Sequence, residues 1–316
     1  MDDEGASPAL LATIRGLIVD QAAGEVIAAF HNHGVRAILL KGASFARWLY
    51  DDGAARPYVD VDLLVPPDQL AAAGEVLGAL GYELRCAGAA VGEQADHATN
   101  WDRPGSPTVD LHNTLSGRVG AAPARCWEVV AAQAQPAKVG GSRAEVLAPA
   151  ALALHVVLHA EAAKQKTLDD LSRALCRLDL ADWQAALDLA TALDALPAFG
   201  VGLRLLPEGQ VMATTLGVPT ETTVELVLQT SSTGSLAYPF DRVARTPGFW
   251  AKAAIVLREV LPTPSFVRIW SPRAARGPGW LVAAYLHRLV WVPFHAPKGL
   301  RAWLRARRVV AESRKV

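Results

Sequence analysis

Two patterns of apolar residues divide the chain into a front part with short strands and a rear part rich in helices. Residues 58–65 alternate apolar residues with aspartates and stop at two prolines, which predicts a strand with one apolar and one polar face. The other predicted strands cover residues 35–40, 82–86 and 108–112, and the predicted helices of the front part cover residues 8–34, 45–50 and 68–81.

The rear part begins near residue 145, where Ala and Leu recur at helical spacing. The predicted helices cover residues 149–164, 167–179, 181–194, 200–216, 221–229, 249–259 and 279–292. The Gly-Gly-Ser stretch at residues 140–142 suits a linker. We therefore expect an α+β fold, with an α+β domain and its N-terminal helices over residues 1–140 and an all-helical domain over residues 145–316.

Composition describes an ordinary folded protein. Of 316 residues, 51% are hydrophobic and 20% charged, which excludes an intrinsically disordered or fibrous chain. Three cysteines without a CxxC pair argue against a disulfide framework and a structural zinc site. The acidic N-terminus does not resemble a secretory signal, and charged or polar residues interrupt every apolar stretch. We expect a cytoplasmic protein without a transmembrane segment.

Three aspartates carry the strongest chemical signal. Asp60 and Asp62 lie two residues apart on the predicted strand, so their side chains share one face. Asp110 has the same pattern on the strand at residues 108–112. Two such carboxylates repel each other, so replacing Asp60 or Asp62 by Asn is expected to stabilise the metal-free protein slightly. Three carboxylates on neighbouring strands suit a site for two divalent ions in phosphoryl transfer, whereas the competing interpretation is a solvated strand face.

A turn at residues 41–44 favours the metal site over a solvated face. It lies between a predicted buried strand and a helix, where Gly42 would allow phosphate to approach the backbone. Lys41 and Ser44 would add a cation and a hydroxyl group. Together with the three carboxylates, this turn predicts a site that binds phosphate groups.

Residues 39–44, 56–65 and 109–112 resemble the uncharacterised nucleotidyltransferases of the polymerase β-like superfamily. The resemblance extends to the region of residues 285–288. It places the family's glycine-serine turn at Gly42 to Ser44, its paired metal carboxylates at Asp60 and Asp62, and its third carboxylate at Asp110. It implies a catalytic domain with a mixed sheet, Mg²⁺ or Mn²⁺ as cofactor and a nucleoside triphosphate such as ATP as co-substrate, and it leaves the acceptor open.

Five further residues are candidates near this site. His112 shares a face with Asp110 and would contact a metal or a phosphate, or orient a ligand. Arg56 is a candidate for triphosphate binding, with a surface position as the alternative. His155 and His159 share a helical face, and the resemblance favours His159 as the one facing the cleft. Asp170 is a candidate for acceptor binding, although an acid in the first turn of a helix can serve the helix alone.

These residues lead to three functional hypotheses. The first is a metal-dependent nucleotidyltransferase that moves a nucleoside monophosphate to a hydroxyl acceptor, which is a small metabolite, a peptide or a protein, and releases pyrophosphate. In it, Asp110 also removes the acceptor's proton. The second is a non-catalytic binding or scaffold protein with the same fold. The third is a serine hydrolase that uses Ser44, because residues 42–46 resemble a degenerate nucleophile elbow.

The net charge of zero hides a basic C-terminal tail. Residues 268–316 contain eleven Arg or Lys residues against Glu312 alone, a net charge of +10. Six aromatic residues are interleaved with them, which is also typical of surfaces that bind nucleic acid or membranes. A helix that packs its aromatic residues on the domain is the alternative. We expect no specific nucleic-acid partner and keep peripheral membrane contact through the tail as a hypothesis.

Overall fold

The computed structural model describes residues 8–50, 56–86, 97–116, 119–160, 165–220, 223–230 and 236–313. The acidic N-terminus and the last basic residues, Arg314 and Lys315, lie outside these ranges. Within them the chain forms two compact units, one that ends at Val218 and one that begins at Pro219. The division expected between residues 140 and 145 therefore falls inside the first unit.

The first unit is built on a seven-stranded mixed sheet. Its strands are β1 (Ile38–Leu39), β2 (Asp60–Leu64), β3 (Glu83–Cys86), β4 (Ala98–Asp102), β5 (Thr108–His112), β6 (Ala134–Val139) and β7 (Ser142–Leu147). They are ordered β3-β4-β5-β2-β1-β7-β6. The pairs β2–β5 and β1–β7 are parallel, and the other neighbours are antiparallel.

Nine helices complete the described part of the first unit. They are α1 (Pro8–Asn32), α2 (Ala43–Leu49), α3 (Leu70–Ala79), α4 (Pro123–Ala131), α5 (Pro149–Ala160), α6 (Gln165–Arg177), α7 (Leu180–Ala192), α8 (Leu196–Leu203) and α9 (Pro207–Thr215). A short 3₁₀ turn, Pro67–Gln69, precedes α3. The predicted helix over residues 200–216 is thus two helices, because Pro207 cannot continue the first and begins the second.

Alternation along β2 separates the core from the site. Val61 and Leu63 are buried in the core that the sheet shares with α1 and α3, for example with Phe30 and Leu77. Because successive side chains of a strand point to opposite faces, the aspartates of β2 lie on the other face. The same separation holds on β5. One face of the sheet therefore packs in this core, and the other carries the aspartates together with the buried Leu64.

The linker expected at residues 140–142 is instead the turn of a hairpin between β6 and β7. Gly140 and Gly141 have φ angles of 53° and 80°, the left-handed conformation that two-residue hairpin turns require. The strands themselves escaped prediction because β6 contains Pro136 and lies at the sheet edge, where proline is tolerated. The prediction of a linker between domains at this point is wrong.

The second unit contains α10 (Val224–Thr230), α11 (Ala237–Arg245), α12 (Phe249–Val260), α13 (Pro264–Trp270), a 3₁₀ segment (Pro272–Arg276) and α14 (Pro278–Ser313). Helix α14 runs well past the predicted end at residue 292, although Pro293 and Pro297 lie inside it. The buried cores of this unit are small and rich in alanine. None of the helices in the described ranges is both long and apolar enough to cross a membrane.

We predict that Gly140→Ala destabilises the protein more than Gly105→Ala. Both glycines have positive φ, so both substitutions carry the cost of the left-handed conformation, about 1 kcal/mol. A Cβ at Gly140 would also clash with the Asp20 carbonyl oxygen, whereas Gly105 has nothing within 4 Å. Overpacking adds about 1–3 kcal/mol. Urea denaturation of both variants measures the difference, and equal losses would contradict the close approach of α1 to the hairpin.

Candidate functional site

Asp62 and Asp110 face each other on neighbouring parallel strands. Their Cα atoms are register partners in the β2–β5 pair, so their side chains share a face of the sheet. Asp62 is buried, and its Oδ1 atom accepts two hydrogen bonds, from Lys41 Nζ at 2.6 Å and from His112 Nε2 at 3.0 Å. The three predicted residues Asp62, Asp110 and His112 therefore form one cluster, with Lys41 above it.

The charge of Asp62 is balanced from within the chain. Burial alone would raise the pKa of this carboxyl group, but Lys41 and His112 hold it well below its usual value. Asp62 is therefore ionised at neutral pH. Asp62→Asn is therefore no longer expected to stabilise the metal-free protein. The substitution would leave the nearly buried ammonium group of Lys41 without its charged partner. For this residue, repulsion from its neighbours is offset by a cation.

Asp110 has the opposite electrostatic environment. Burial raises its pKa, and the negative charges of Asp62 and Asp60 raise it further, against a hydrogen bond from Asn100 Nδ2. A carboxylate with a raised pKa holds a proton more readily. Asp110, which is half-buried, is thus the stronger base of the two aspartates.

The cluster fits a divalent cation. One ligand atom from each of Asp62, Asp110 and His112 lies within 4.8 Å of the others. Two carboxylates are the donors that Mg²⁺ and Mn²⁺ prefer, and an imidazole adds a nitrogen donor that transition metals accept. Asp60 lies on the same face of β2 but is half-buried and outside this group of three. Its role as a metal ligand stays a prediction.

The turn before α2 has the conformation that the sequence suggested. Gly42 has a φ angle of 59°, and a Cβ there would lie 3.2 Å from the Tyr58 ring, so both backbone and space favour glycine. The Tyr58 hydroxyl donates to Asp20, which keeps the ring in place. Ser44 is fully buried, and its Oγ has no hydrogen-bond partner among the described residues. Lys41 thus reaches the carboxylates, while Ser44 lies in the interior.

Arg56 forms a buried ion pair with Asp170 of α6. Nε and Nη2 of Arg56 donate to the two carboxylate oxygens at 2.8 and 2.7 Å, and the Tyr50 hydroxyl donates to the same carboxylate at 2.9 Å. The guanidinium group also lies 4.9 Å from the centre of the Phe45 ring. Its third nitrogen, Nη1, is buried and has no partner in the described part of the chain. Nucleotide binding by Arg56 and acceptor binding by Asp170 stay predictions.

Two histidines of α5 lie close to these charges. The rings of His155 and His159 stack at 6.1 Å, and His155 packs edge-on against Phe45 at 5.6 Å. Burial, followed by the charge of Lys41, lowers the pKa of His159 to about 3 and that of His155 well below its usual value. Both rings are therefore neutral at physiological pH. His155 is almost completely buried, with neither ring nitrogen bonded to any described residue.

Comparison with protein families shows which family the chain resembles. A model described as "uncharacterised nucleotidyltransferase" matches residues 8–208. The chain belongs to this nucleotidyltransferase family. The match covers all seven strands of the sheet. It ends before residues 285–288, which the resemblance seen in the sequence was expected to include.

Comparisons with individual proteins add less. A search of curated proteins finds no match. Among solved structures, the chain is similar to the antibiotic-resistance factor ANT(2'')-Ia, with 14% sequence identity and a TM-score of 0.41. That match covers 58% of this chain and 96% of the other. The family assignment therefore rests on the family model, and it makes the protein a transferase.

Two residues of this candidate site were not predicted from the sequence. Asn100 donates to Asp110 from β4, a strand whose mixed Ala-Thr-Asn-Trp-Asp sequence has no alternating apolar pattern. Lys166 is the second residue of α6, and its charge interacts with Asp60, Asp62 and Asp170. Partial burial, followed by the charge of Arg56, lowers its pKa. Only the sheet order and the position of α6 bring these two residues to the site.

We predict that Arg56→Leu lowers the free energy of unfolding by about 3–5 kcal/mol, because it leaves the Asp170 carboxylate buried and unpaired. The double variant Arg56→Leu/Asp170→Leu should recover part of the loss. Arg125→Leu is the matched control, since it breaks an exposed pair with Glu128 and should cost at most about 0.5 kcal/mol. Urea denaturation compares the three variants, and equal costs for Arg56→Leu and Arg125→Leu would show that the buried pair contributes nothing special.

We also predict that acid destabilises the protein below about pH 6.5 through His155 and His159. Their pKa values are depressed in the folded state, so the unfolded chain binds protons that the folded chain does not. The stability is present above the unfolded pKa and falls by up to about 1.4 kcal/mol per pH unit for each histidine. Unfolding at pH 7, 6 and 5 measures this slope. His159→Gln should reduce it, and an unchanged slope would exclude His159 as a source.

Proposed function

We propose that this chain transfers a nucleoside monophosphate from a nucleoside triphosphate to a hydroxyl acceptor and releases pyrophosphate, with a divalent ion as cofactor. One observation carries the proposal: Asp62 and Asp110 lie in register on adjacent parallel strands, on the sheet face opposite the core. Asp60, two residues before Asp62 on β2, adds a third acid on the same face of the sheet. Such a row of acids at a partly buried site serves cation binding better than it serves folding.

The residues that would hold the ion are Asp62 and Asp110, with His112 beside them and Asp60 at the edge of the cluster. When bound, Mg²⁺ or Mn²⁺ neutralises charge on the reacting phosphate and on the attacking oxygen. We propose a further role for Asp110, which would accept the proton of the acceptor hydroxyl as that oxygen attacks the α-phosphorus.

Lys41 is the cation best placed to bind the outgoing phosphates. Its ammonium group is 2.6 Å from Asp62 and is slightly exposed, so it can bind Asp62 in the free protein and a phosphate in the complex. Gly42 follows Lys41 in the turn before α2, and the backbone of this turn would contact the same phosphates. Lys166, and the unpartnered Nη1 of Arg56, are further positive groups on this side of the sheet. These groups would contact the phosphates, whereas the buried Ser44 would support the turn from its interior side.

The alternative functions have less support. A serine hydrolase needs a base in hydrogen-bond reach of its nucleophile, and the fully buried Ser44 Oγ has no partner within the described residues. A scaffold protein has no use for a row of acids that must be balanced by Lys41 and His112. The acceptor that best suits this site is a molecule with a nucleophilic hydroxyl group, taken from small metabolites, peptides and proteins.

We predict that a non-hydrolysable ATP analogue binds only together with a divalent ion, because the carboxylates otherwise repel the phosphates. Isothermal titration calorimetry in Mg²⁺, in Mn²⁺ and in chelator measures this difference. Asp110→Asn should weaken binding in metal, and it should lower label transfer from an α-labelled triphosphate about 10³-fold in a screen of hydroxyl acceptors.

Asp68→Asn is the control for these measurements, because Asp68 is an exposed acid away from the cluster. It should bind and react as the unchanged protein does. Equal affinity in metal and in chelator, or a folded Asp110→Asn protein with unchanged transfer, would contradict the proposal.

A further inference from the structure

Helix α14 exposes many of its large apolar side chains. At 3.6 residues per turn, seven of them lie within an arc of roughly 140°. We call them the α14 face: Val282, Leu286, Leu289, Val290, Phe294, Leu300 and Leu304. Val290 and Phe294 have exposed fractions of 71% and 73%, and none of the seven is less than 37% exposed. The alternative that this helix buries its apolar residues on its own unit therefore does not hold for these positions.

Most buried residues of α14 are small. Ala284, Gly299, Ala302 and Ala306 lie on the opposite side of the helix together with the larger Arg288 and Val310, and Ala302 and Ala306 pack beside residues of α10 and α11. Gly299 approaches the Leu236 backbone so closely that a Cβ would clash. An amphipathic helix that only completes a fold places its large apolar residues inward. On α14 the order is reversed, so the outward face is suited to contact with something other than its own unit.

Basic residues border the α14 face. Arg301 and Arg305 lie along one edge in the last third of the helix, Arg307 lies along the other, and all three are exposed. Glu312 is the sole acid of α14. Long arginine side chains beside apolar residues can extend their charged ends to a polar layer while their stems cover apolar surface. The face thus combines apolar contact with attraction to negative charge.

We propose that the α14 face binds the surface of a membrane that contains anionic lipids, with the helix lying in the plane of the interface. Leu286, Val290 and Phe294 would enter the boundary between headgroups and acyl chains, and the arginines would contact lipid phosphates and carboxylates. A nucleic acid offers phosphates but no partner for a row of valine and leucine side chains. A second copy of this helix would offer arginines to arginines, without acids on the face to match them. Anionic lipid offers acyl chains to the apolar side chains and negative charge to the arginines.

Vesicle co-sedimentation of the full chain tests this proposal. We expect at least about tenfold stronger binding to phosphatidylcholine vesicles with about 30% phosphatidylserine than to phosphatidylcholine alone, and weaker binding at high salt. Leu286→Ser/Phe294→Ser should lower binding to both kinds of vesicle about tenfold or more. Arg301→Gln/Arg305→Gln should remove most of the preference for phosphatidylserine. These side chains are exposed, so thermal unfolding should be nearly unchanged.

The matched control is Val211→Ser/Arg143→Gln, which removes one exposed apolar and one exposed basic side chain from the first unit. It should bind vesicles as the unchanged chain does. Absence of vesicle binding, or binding that survives both α14 double variants, would overturn the proposal. So would a dimer in solution that Leu286→Ser/Phe294→Ser dissociates, or an RNA or DNA complex that Arg301→Gln/Arg305→Gln abolishes. None of these outcomes depends on nucleotide binding or transfer at the sheet.

Discussion

The constraint on which the first unit depends is the close placement of two carboxylates, Asp62 and Asp110, on adjacent parallel strands. Two like charges within 4.8 Å repel by about 3–4 kcal/mol at an effective dielectric constant near 20. The chain offsets this energy in two ways: Lys41 and His112 keep Asp62 ionised, and Asp110 has a raised pKa. A divalent ion would offset the same repulsion more completely. The free protein therefore already contains the electrostatic conditions that favour a cation.

The same sheet face is stabilised from the side by a second buried pair. Arg56 leads into β2 and holds Asp170 of α6, so the strand with the aspartates and the helix that carries Lys166 are joined by charge-assisted hydrogen bonds. Such a pair adds little net stability over an apolar contact, yet breaking one half is costly. Its value is geometric. It fixes α6 and its lysine with respect to the carboxylates, which phosphate binding at this face would require.

Elements with a clear local pattern can be predicted from the sequence. Strict alternation identified β2 with both aspartates, and the Val-Asp-Leu pattern identified β5 with Asp110. The role of a residue cannot be predicted in this way where it depends on contacts with residues distant in the sequence. Asn100 lies on a strand with no apolar alternation, and its role exists only because β4 pairs with β5. The ion pair of Lys41 with Asp62 spans 21 positions, and no spacing rule predicts it.

The two groups of charges in this chain act over different ranges. Asp62 is buried and Asp110 half-buried, so their fields are strong over a few ångströms and act on a single ion or phosphate. Arginines of α14 are exposed to water, where salt screens their fields beyond about 8 Å at physiological ionic strength. These arginines can therefore attract only a surface that is in contact with them. An extended, negatively charged surface can contact several of the arginines at once. A chain of zero net charge can thus carry a cation site and a basic surface, because neither depends on the total.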